Sequence, residues 1–172
     1  DCVMISDFQI MFTDCVFNMN RNYEFFYDLY GRNRKEINGN LEFVKFGRFS
    51  FPMNTGSECY EKTVEGFKHF EKMRKSNQNL SRWFNSIKSI TSFSPRLIAN
   101  SGRPSTHTFS ISLDILTNDQ RPNYWYWTSK LTKQWWLVPD EQKSYVPKEV
   151  IQVFEDYGFC WGGKWERYDI MH

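Results

Sequence analysis

Residues 108–115 alternate strictly between polar and apolar side chains, and this pattern constrains the fold more than any other segment. The apolar members are Phe109, Ile111, Leu113 and Ile115, and the polar members are Thr108, Ser110, Ser112 and Asp114. Because successive side chains of a β-strand point to opposite faces, a period of two predicts a strand with one face in the core. We therefore expect a half-buried strand whose polar face ends in a carboxylate.

Two other segments have the spacing of amphipathic helices. The apolar face of the first consists of Tyr60, Val64, Phe67 and Met73. Thr55 and Glu58 have the spacing of a capping box, which predicts the start of this helix. The second helix is expected to begin at Pro147 and to end before Gly158, since glycine favours the left-handed conformation at helix C-termini.

The order of predicted strands and helices along the chain indicates the fold class. Residues 41–51 predict two short strands about Gly47. Helices and antiparallel strands in separate segments are typical of an α+β fold, here a small antiparallel sheet flanked by helices. No repeat or linker divides the chain, so we interpret residues 1–40 as an N-terminal extension of uncertain structure and residues 41–172 as the functional domain.

The bulk composition narrows the function classes. Hydrophobic residues make up 40% and charged residues 24% of the chain, as in folded globular domains. The net charge of +2 is too small to predict nucleic-acid binding through bulk electrostatics, and no segment approaches the ~20 apolar residues of a membrane span. The four cysteines lack metal-type spacing. They are either buried thiols or disulfides of an exported protein, with Cys2–Cys15 one candidate pair.

The chemistry is suggested by two of the three histidines, which stand near carboxylates. His107 precedes Asp114, and Asp169 precedes His172. Two imidazoles and one carboxylate form a three-ligand set for zinc that leaves a fourth coordination position open, as a catalytic site requires. A second carboxylate near the metal could then take a proton from water.

The strand prediction and the metal hypothesis conflict in one respect. Positions seven apart on a regular strand face opposite sides, so His107 and Asp114 reach one metal only if His107 lies on a turn or a bulge intervenes. The Pro104-Ser105 pair favours a turn. Each motif alone is also compatible with a loop histidine bonded to backbone and a strand-end aspartate that caps a turn.

Two longer segments, taken together, resemble one peptidase family. The first is Phe93-Ser94-Pro95-Arg96-Leu97-Ile98, followed by Ser105-x-His107-x-Phe109 and Asp114-Ile115. The second is Phe154-Glu155-x-x-Gly158-Phe159-x-Trp161-Gly162-Gly163-x-Trp165, followed by Asp169-x-Met171-His172. Over about residues 41–172 the chain is similar to the D-alanyl-D-alanine carboxypeptidases of the vancomycin-resistance Y type and their L-alanyl-D-glutamate peptidase relatives, including phage endolysins.

The resemblance implies a zinc (Zn²⁺) metallopeptidase that hydrolyses a peptide bond in the stem peptides of bacterial peptidoglycan. His107, Asp114 and His172 match the family's zinc ligands, which are expected in a cleft on the sheet. Asp169 matches the general base, and Arg96 matches the arginine that binds the scissile carbonyl oxygen or a substrate carboxylate.

The resemblance also implies supporting residues and a location. Ser105 matches a serine that supports the site, and Trp161 matches a wall near the metal, beside glycines that let the backbone come close. Core packing explains Trp161 equally well. Because peptidoglycan lies outside the membrane, we expect a periplasmic, cell-wall-associated or secreted enzyme, or a phage-encoded lysin.

The chain departs from the family pattern at several positions. Ser110 and Ser112 replace glycine and alanine, and Leu116 replaces an asparagine that commonly follows the Asp-Ile pair. The family continues after its last histidine with Phe-Glu and a closing strand, whereas this sequence stops at His172. We therefore expect either a truncated sequence or a terminal carboxylate beside the metal.

These departures leave two alternatives to an active enzyme. The first is a catalytically inactive cell-wall binding module of the same fold. Its sugar-stacking platform would be the aromatic cluster Trp125, Trp127, Trp135 and Trp136, although these side chains could equally fill a small core of their own. The second is a structural domain that zinc stabilises without cleaving anything.

Overall fold

The computed structural model describes residues 22–98 and 101–172, which form an α+β fold. Within these ranges the helices are α1 (Tyr23–Tyr30), α2 (Arg34–Gly39), α3 (Cys59–Arg74), α4 (Gln78–Ser86), α5 (Trp125–Leu131) and α6 (Lys148–Asp156). The strands are β1 (Leu41–Phe46), β2 (Phe49–Asn54), β3 (Ile87–Thr91) and β4 (Asp114–Thr117). Single 3-10 turns lie at Thr106–Thr108, Trp135–Leu137, Asp140–Gln142 and Gly162–Lys164.

The strands of the described residues form two separate two-stranded antiparallel sheets, not the one small sheet that we expected. In the first, β1 and β2 form the predicted hairpin about Gly47, whose φ of 56° suits glycine. In the second, β3 pairs with β4 so that Thr91 lies opposite Asp114. The second sheet therefore carries one of the predicted metal ligands at its end.

The main hydrophobic core lies between the hairpin and helices α3, α4 and α6. Phe67 of α3 contacts Phe46 of β1, with ring centroids 4.2 Å apart. The predicted apolar stripe of α3 is confirmed, since Phe67 is buried and the other three members pack against the same cluster. Leu113 also belongs to this core, so the core fixes the point at which Asp114 begins β4.

The two predicted helix boundaries have different outcomes. The helix after Pro147 is confirmed as α6, and Gly158 beyond its end has a φ of 90°. The capping box is wrong, because α3 begins only at Cys59 and its N-cap residue, Glu58, makes no side-chain cap hydrogen bond. Thr55 instead donates its hydroxyl to the carbonyl oxygen of Asn40 at 3.0 Å, which joins the end of β2 to the end of α2.

A second, smaller core covers the described part of the N-terminal extension. Residues 22–40, which belong to the extension whose structure the sequence left uncertain, form α1 and α2. Their buried side chains Phe26, Tyr30 and Ile37 cluster around Phe109. The candidate pair Cys2–Cys15 lies outside the described residues, while Cys59 is disulfide-bonded and Cys160 is a free thiol.

The predicted strand over residues 108–115 is wrong. Thr106–Thr108 form a 3-10 turn, Ser110 has a φ of 58°, and only Asp114 and Ile115 belong to a strand. The polar side chains are not solvated either: Ser110 donates to the carbonyl oxygen of Pro52 at 3.0 Å, and Ser112 donates to Thr106 Oγ1 at 2.9 Å. Internal acceptors therefore replace the solvent that the alternation predicted.

Among the helices of residues 22–98 and 101–172, none combines sufficient length and apolar character to cross a membrane.

Candidate metal centre

Three side chains from distant parts of the sequence meet at one point. One ligand atom each of His107, Asp114 and His172 lies within 4.8 Å of the other two. The Asp114 carboxylate lies between the rings, with Oδ2 3.2 Å from His107 Nε2 and Oδ1 3.2 Å from His172 Nδ1. These are the residues that the resemblance matched to zinc ligands.

A short turn orients His107. The Ser105 hydroxyl accepts a hydrogen bond from the backbone N–H of His107 and so caps the 3-10 turn. Phe109, two residues further on, is anchored in the smaller core. Because His107 precedes the strand on a turn, the conflict over seven-residue spacing disappears: Asp114 alone takes its direction from β4.

The hydrogen bond of the second His107 nitrogen fixes the tautomer of the ring. His107 Nδ1 lies 2.9 Å from the carbonyl oxygen of Ser92. Since a carbonyl can only accept, Nδ1 carries a proton, and Nε2 is the ring nitrogen that faces Asp114 and His172. Second bonds of this kind orient metal-ligating histidines in proteins.

The C-terminal segment reaches the cluster through backbone hydrogen bonds. Ile115 N–H of β4 donates to the carbonyl oxygen of Met171 at 2.7 Å. Gly162 N–H donates to the carbonyl oxygen of His172, and Asp169 N–H donates to the carbonyl oxygen of Gly162, both at 2.9 Å. A Cβ atom at position 162 would lie 2.5 Å from the Asp169 carbonyl oxygen, so this contact requires glycine.

Trp161 supports the same segment. Its indole N–H donates to the carbonyl oxygen of Ile170 at 3.0 Å. The ring also covers Gly163, where an added Cβ would lie 2.3 Å from it. The Trp-Gly-Gly motif therefore acts as a scaffold for the Asp169–His172 segment, in addition to lining the cleft.

The electrostatics of Asp114 favour its ionised form. Burial alone would raise the pKa of this carboxyl, but the hydrogen bonds from His107 and His172 outweigh burial and hold the pKa well below its usual value. An ionised carboxylate is the form that binds metal.

Asp169 has the opposite environment. Burial raises the pKa of its carboxyl to about 6, with attraction to His172 opposing the rise and repulsion from Asp114 adding to it. Its Oδ1 is buried and has no hydrogen-bond partner among the described residues. A carboxyl that changes protonation near neutral pH and keeps a free oxygen is suited to proton transfer.

The donor set fits a divalent transition metal. Two imidazole nitrogens and a carboxylate are ligands that zinc accepts. His107 Nε2 and His172 Nδ1 lie 3.3 Å apart, and each lies 3.2 Å from an oxygen of the Asp114 carboxylate. A cation bound to all three groups would satisfy both nitrogens and the carboxylate together.

A cleft of about 390 Å³ contains most of the predicted site. Its lining includes His107, His172, Asp169, Arg96, Ser105 and Trp161. Apolar side chains of α6 and its flanks form much of the rest, among them Val150 and Phe154. Of the three predicted ligands only Asp114 belongs to a strand, and the other two come from a 3-10 turn and the C-terminal segment.

The structure also brings residues to the cleft that the sequence did not single out. Trp165 lies with its ring centroid 5.0 Å from that of His172, and its place in the Trp-Gly-Gly-x-Trp motif was an available signal. Tyr124 pairs through its backbone with Asp169, and Arg167 lines the cleft. Nothing in the sequence around these two residues marks them as neighbours of the site.

The four tryptophans of the aromatic cluster occupy different environments. Trp125 lines the cleft, and Trp135 packs between Trp125 and Tyr168, with ring centroids 5.3 and 5.9 Å away. Trp127 and Trp136 are exposed. Two of the four tryptophans therefore pack against other aromatic rings of this region. This is the arrangement expected if the cluster fills a small core of its own instead of forming a sugar-stacking platform.

Residues 99–172 match the family model described as D-alanyl-D-alanine carboxypeptidase. The matched range holds the three clustered side chains and Asp169, covers less than half of the chain, and does not reach Arg96. No curated protein and no solved structure matches significantly.

Proposed function

We propose that this protein is a zinc-dependent peptidase that hydrolyses a peptide bond in the stem peptides of bacterial peptidoglycan. One observation carries the proposal: two members of the His107–Asp114–His172 cluster, both histidines, line the same cleft as Asp169, whose pKa burial raises to about 6. The family match over residues 99–172 supports a hydrolase of the peptidase class. The candidates for the bond that is cut are D-Ala-D-Ala and L-Ala-D-Glu, because the same metal chemistry would hydrolyse either one.

His107, Asp114 and His172 would hold the zinc ion. The Ser92 carbonyl keeps Nε2 of His107 free for it, and β4 directs the Asp114 carboxylate toward it. When bound, zinc supplies Lewis acidity toward a carbonyl oxygen and a water molecule.

Asp169 is proposed as the general base and acid. In its ionised form it accepts a proton from the attacking water, and in its protonated form it donates that proton to the departing amine. A pKa of about 6 suits both steps at neutral pH. The backbone bonds to Gly162 hold the residue in place for them.

Arg96 is proposed to stabilise the negative charge that develops on the carbonyl oxygen. Its Nη2 lies 3.9 Å from Asp114 Oδ2, beside the metal cluster. Its backbone N–H donates to Thr108 Oγ1 at 3.1 Å, and the same hydroxyl donates to the Arg96 carbonyl oxygen at 2.9 Å. The arginine is thus joined to the turn that carries His107. A well-placed donor of this kind contributes ~3 kcal/mol to transition-state stabilisation.

The substrate also suggests where the protein acts. Peptidoglycan lies outside the membrane, so we propose a periplasmic, wall-associated or secreted enzyme, or a lysin delivered by a phage. The disulfide at Cys59 supports an oxidising compartment.

The experiment that tests the proposal is mass spectrometry of purified muropeptides incubated with zinc-loaded protein and with chelated protein. We expect zinc-dependent loss of a terminal D-Ala or a new cut after L-Ala. Protein that is folded and zinc-loaded but releases no product would contradict the proposal, and wall binding without product would favour a binding module.

The same assay tests the role of Asp169. Asp169→Asn should lower turnover by roughly 10²- to 10⁴-fold while the zinc content stays at that of the wild type, because Asp169 is not part of the ligand cluster. Asp140→Asn is the matched control, since the Asp140 side chain is 90% exposed and is not among the residues that line the cleft. Near-normal turnover of Asp169→Asn would refute the assignment.

A further inference from the structure

A second arginine, Arg167, lines the cleft together with Arg96. Arg167 lies between the Trp-Gly-Gly motif and Asp169, and its guanidinium carbon is 4.8 Å from the ring centroid of Trp125, which also lines the cleft. A guanidinium that stacks on an aromatic face keeps the N–H groups along its edge free to bind a planar anion.

The charges around the cleft leave Arg167 without an acidic partner. Glu155 is paired with Lys164 at 2.6 Å, and Asp114 is bonded to both histidines with Arg96 at 3.9 Å. Within residues 22–98 and 101–172, no ion pair includes Arg167. The cleft therefore presents a cation whose anion is absent from the described part of the chain.

The backbone that follows Arg167 is fixed by hydrogen bonds and leads directly to Asp169. Its neighbour Tyr168 is buried, donates its hydroxyl to Thr128 Oγ1 at 2.6 Å, and accepts the Trp125 N–H at 2.9 Å through its carbonyl oxygen. Asp169 follows directly and lines the same cleft. An anion bound by Arg167 would therefore lie in the cleft that Asp169 also lines.

We propose that Arg167 determines specificity by binding a free carboxylate of the substrate next to the bond that is cut. In this proposal Arg96, which is joined to the His107 turn, stabilises the charge on the carbonyl oxygen, whereas Arg167 binds the neighbouring carboxylate. A carboxylate and a guanidinium match through two parallel hydrogen bonds. This inference rests on the proposed peptidase function and names its substrate as a stem peptide with an ionised carboxylate beside the cut. In such a peptide the carboxylate belongs either to the C-terminal residue or to the glutamate.

The test compares three synthetic stem peptides with the zinc-loaded protein. One carries all its carboxylates, one has an amidated C-terminus, and one has an amidated glutamate carboxylate. Arg167→Gln should raise KM roughly 10- to 100-fold for the full peptide, as expected when a charged hydrogen bond is lost. For the peptide that lacks the relevant carboxylate, wild type and variant should have nearly the same KM, and this arm identifies which carboxylate is bound.

Two variants separate recognition from structure. Arg167→Lys keeps the positive charge but cannot form the bidentate hydrogen bond to a carboxylate. Its KM should therefore lie between those of wild type and Arg167→Gln. Lys130→Gln removes another cation that lies over an aromatic ring, Tyr126, at 4.6 Å but does not line the cleft, so its KM should equal that of the wild type.

The outcomes also separate the two proposals. A KM increase of equal size for all three peptides, or no increase, would overturn the role of Arg167 while cleavage by the wild type upholds the peptidase. Cleavage of none of the peptides by the wild type would contradict the peptidase and this inference together. Calorimetry with the Asp169→Asn background then measures whether Arg167→Gln weakens binding of the full peptide without turnover, and equal affinity would count against the inference.

Discussion

The two halves of the metal centre are held in place by different means. His107 is 1% exposed, and the residues around it are fixed by side-chain packing: Phe109 lies in the smaller core and Leu113 in the larger one. The Asp169–His172 segment is held mainly by backbone hydrogen bonds to Gly162 and β4. The first half should therefore respond to loss of volume, and the second half to added volume at one glycine.

The largest effect on stability is expected from the packed half. Phe109→Ala should lower the free energy of unfolding by about 3–5 kcal/mol, because it removes a buried ring and leaves a cavity. Chemical denaturation measures this change, and zinc titration should show weaker binding because the His107 turn loses its anchor. Phe43→Ala is the control, since Phe43 is 63% exposed; an equal loss at both positions would deny any special role to the smaller core.

The second effect is a pH dependence of the metal-free protein. The pKa of Asp169 is raised by burial to about 6, above its unfolded value, so its contribution to stability is fully present below the unfolded pKa and is lost as pH rises through about 6. The loss should amount to about 3 kcal/mol. Asp114, whose pKa is lowered, has the opposite sign and loses its contribution only as pH falls below its unfolded pKa.

Asp169→Asn separates these two carboxyls. Urea denaturation of wild type and variant between pH 4 and 6.5, in chelator, measures the difference, and the variant should lack the decline. An unchanged decline in the variant would show that another group causes it.

The third effect belongs to the half held by backbone bonds. Gly162→Ala should cost about 1–3 kcal/mol of stability, because its Cβ would lie 2.5 Å from the Asp169 carbonyl oxygen. It should also lower turnover ~100-fold by displacing Asp169. Gly39→Ala is the control, since a Cβ there meets nothing within 4 Å. If Gly162→Ala were as active as Gly39→Ala, the backbone contact would not position the segment.

The smallest effect is expected at the cap of the His107 turn. Ser105→Ala removes the acceptor of the His107 N–H and should lower stability by about 1 kcal/mol. Thermal unfolding against Ser50→Ala, an exposed serine of β2, measures the difference. If Ser105→Ala lost more stability than Phe109→Ala, the hydrogen bond of the turn would contribute more than the packing of Phe109, contrary to this prediction.

The sequence contained much of the chemistry of the site but less of its geometry. The helical stripe of α3 and the hairpin about Gly47 follow from local periodicity, and both are found. The strand over residues 108–115 fails because Ser110 and Ser112 bond to Pro52 and Thr106, acceptors that no local pattern reveals. The wrong capping box has the same origin, since Thr55 bonds to Asn40 instead of to its own helix.

The candidate site divides in a similar way. The residues matched to ligands meet in space. They could be chosen from the sequence because the motifs around them are distinctive. Arg167 could not be recognised, since its significance depends on Trp125, a residue 42 positions earlier that becomes its neighbour only in the fold. Pairwise encounters of this kind depend on tertiary packing, and a single sequence does not record them.

The double hydrogen bond between Thr108 and Arg96 has a consequence for how such a site can change over time. One hydroxyl accepts from the arginine's amide and donates to its carbonyl, so the backbone that carries the cation is bonded directly to the His107 turn. A substitution that shifts the turn then alters metal affinity and charge stabilisation in the same step. Selection at this position acts on both properties at once, and neither can drift without the other.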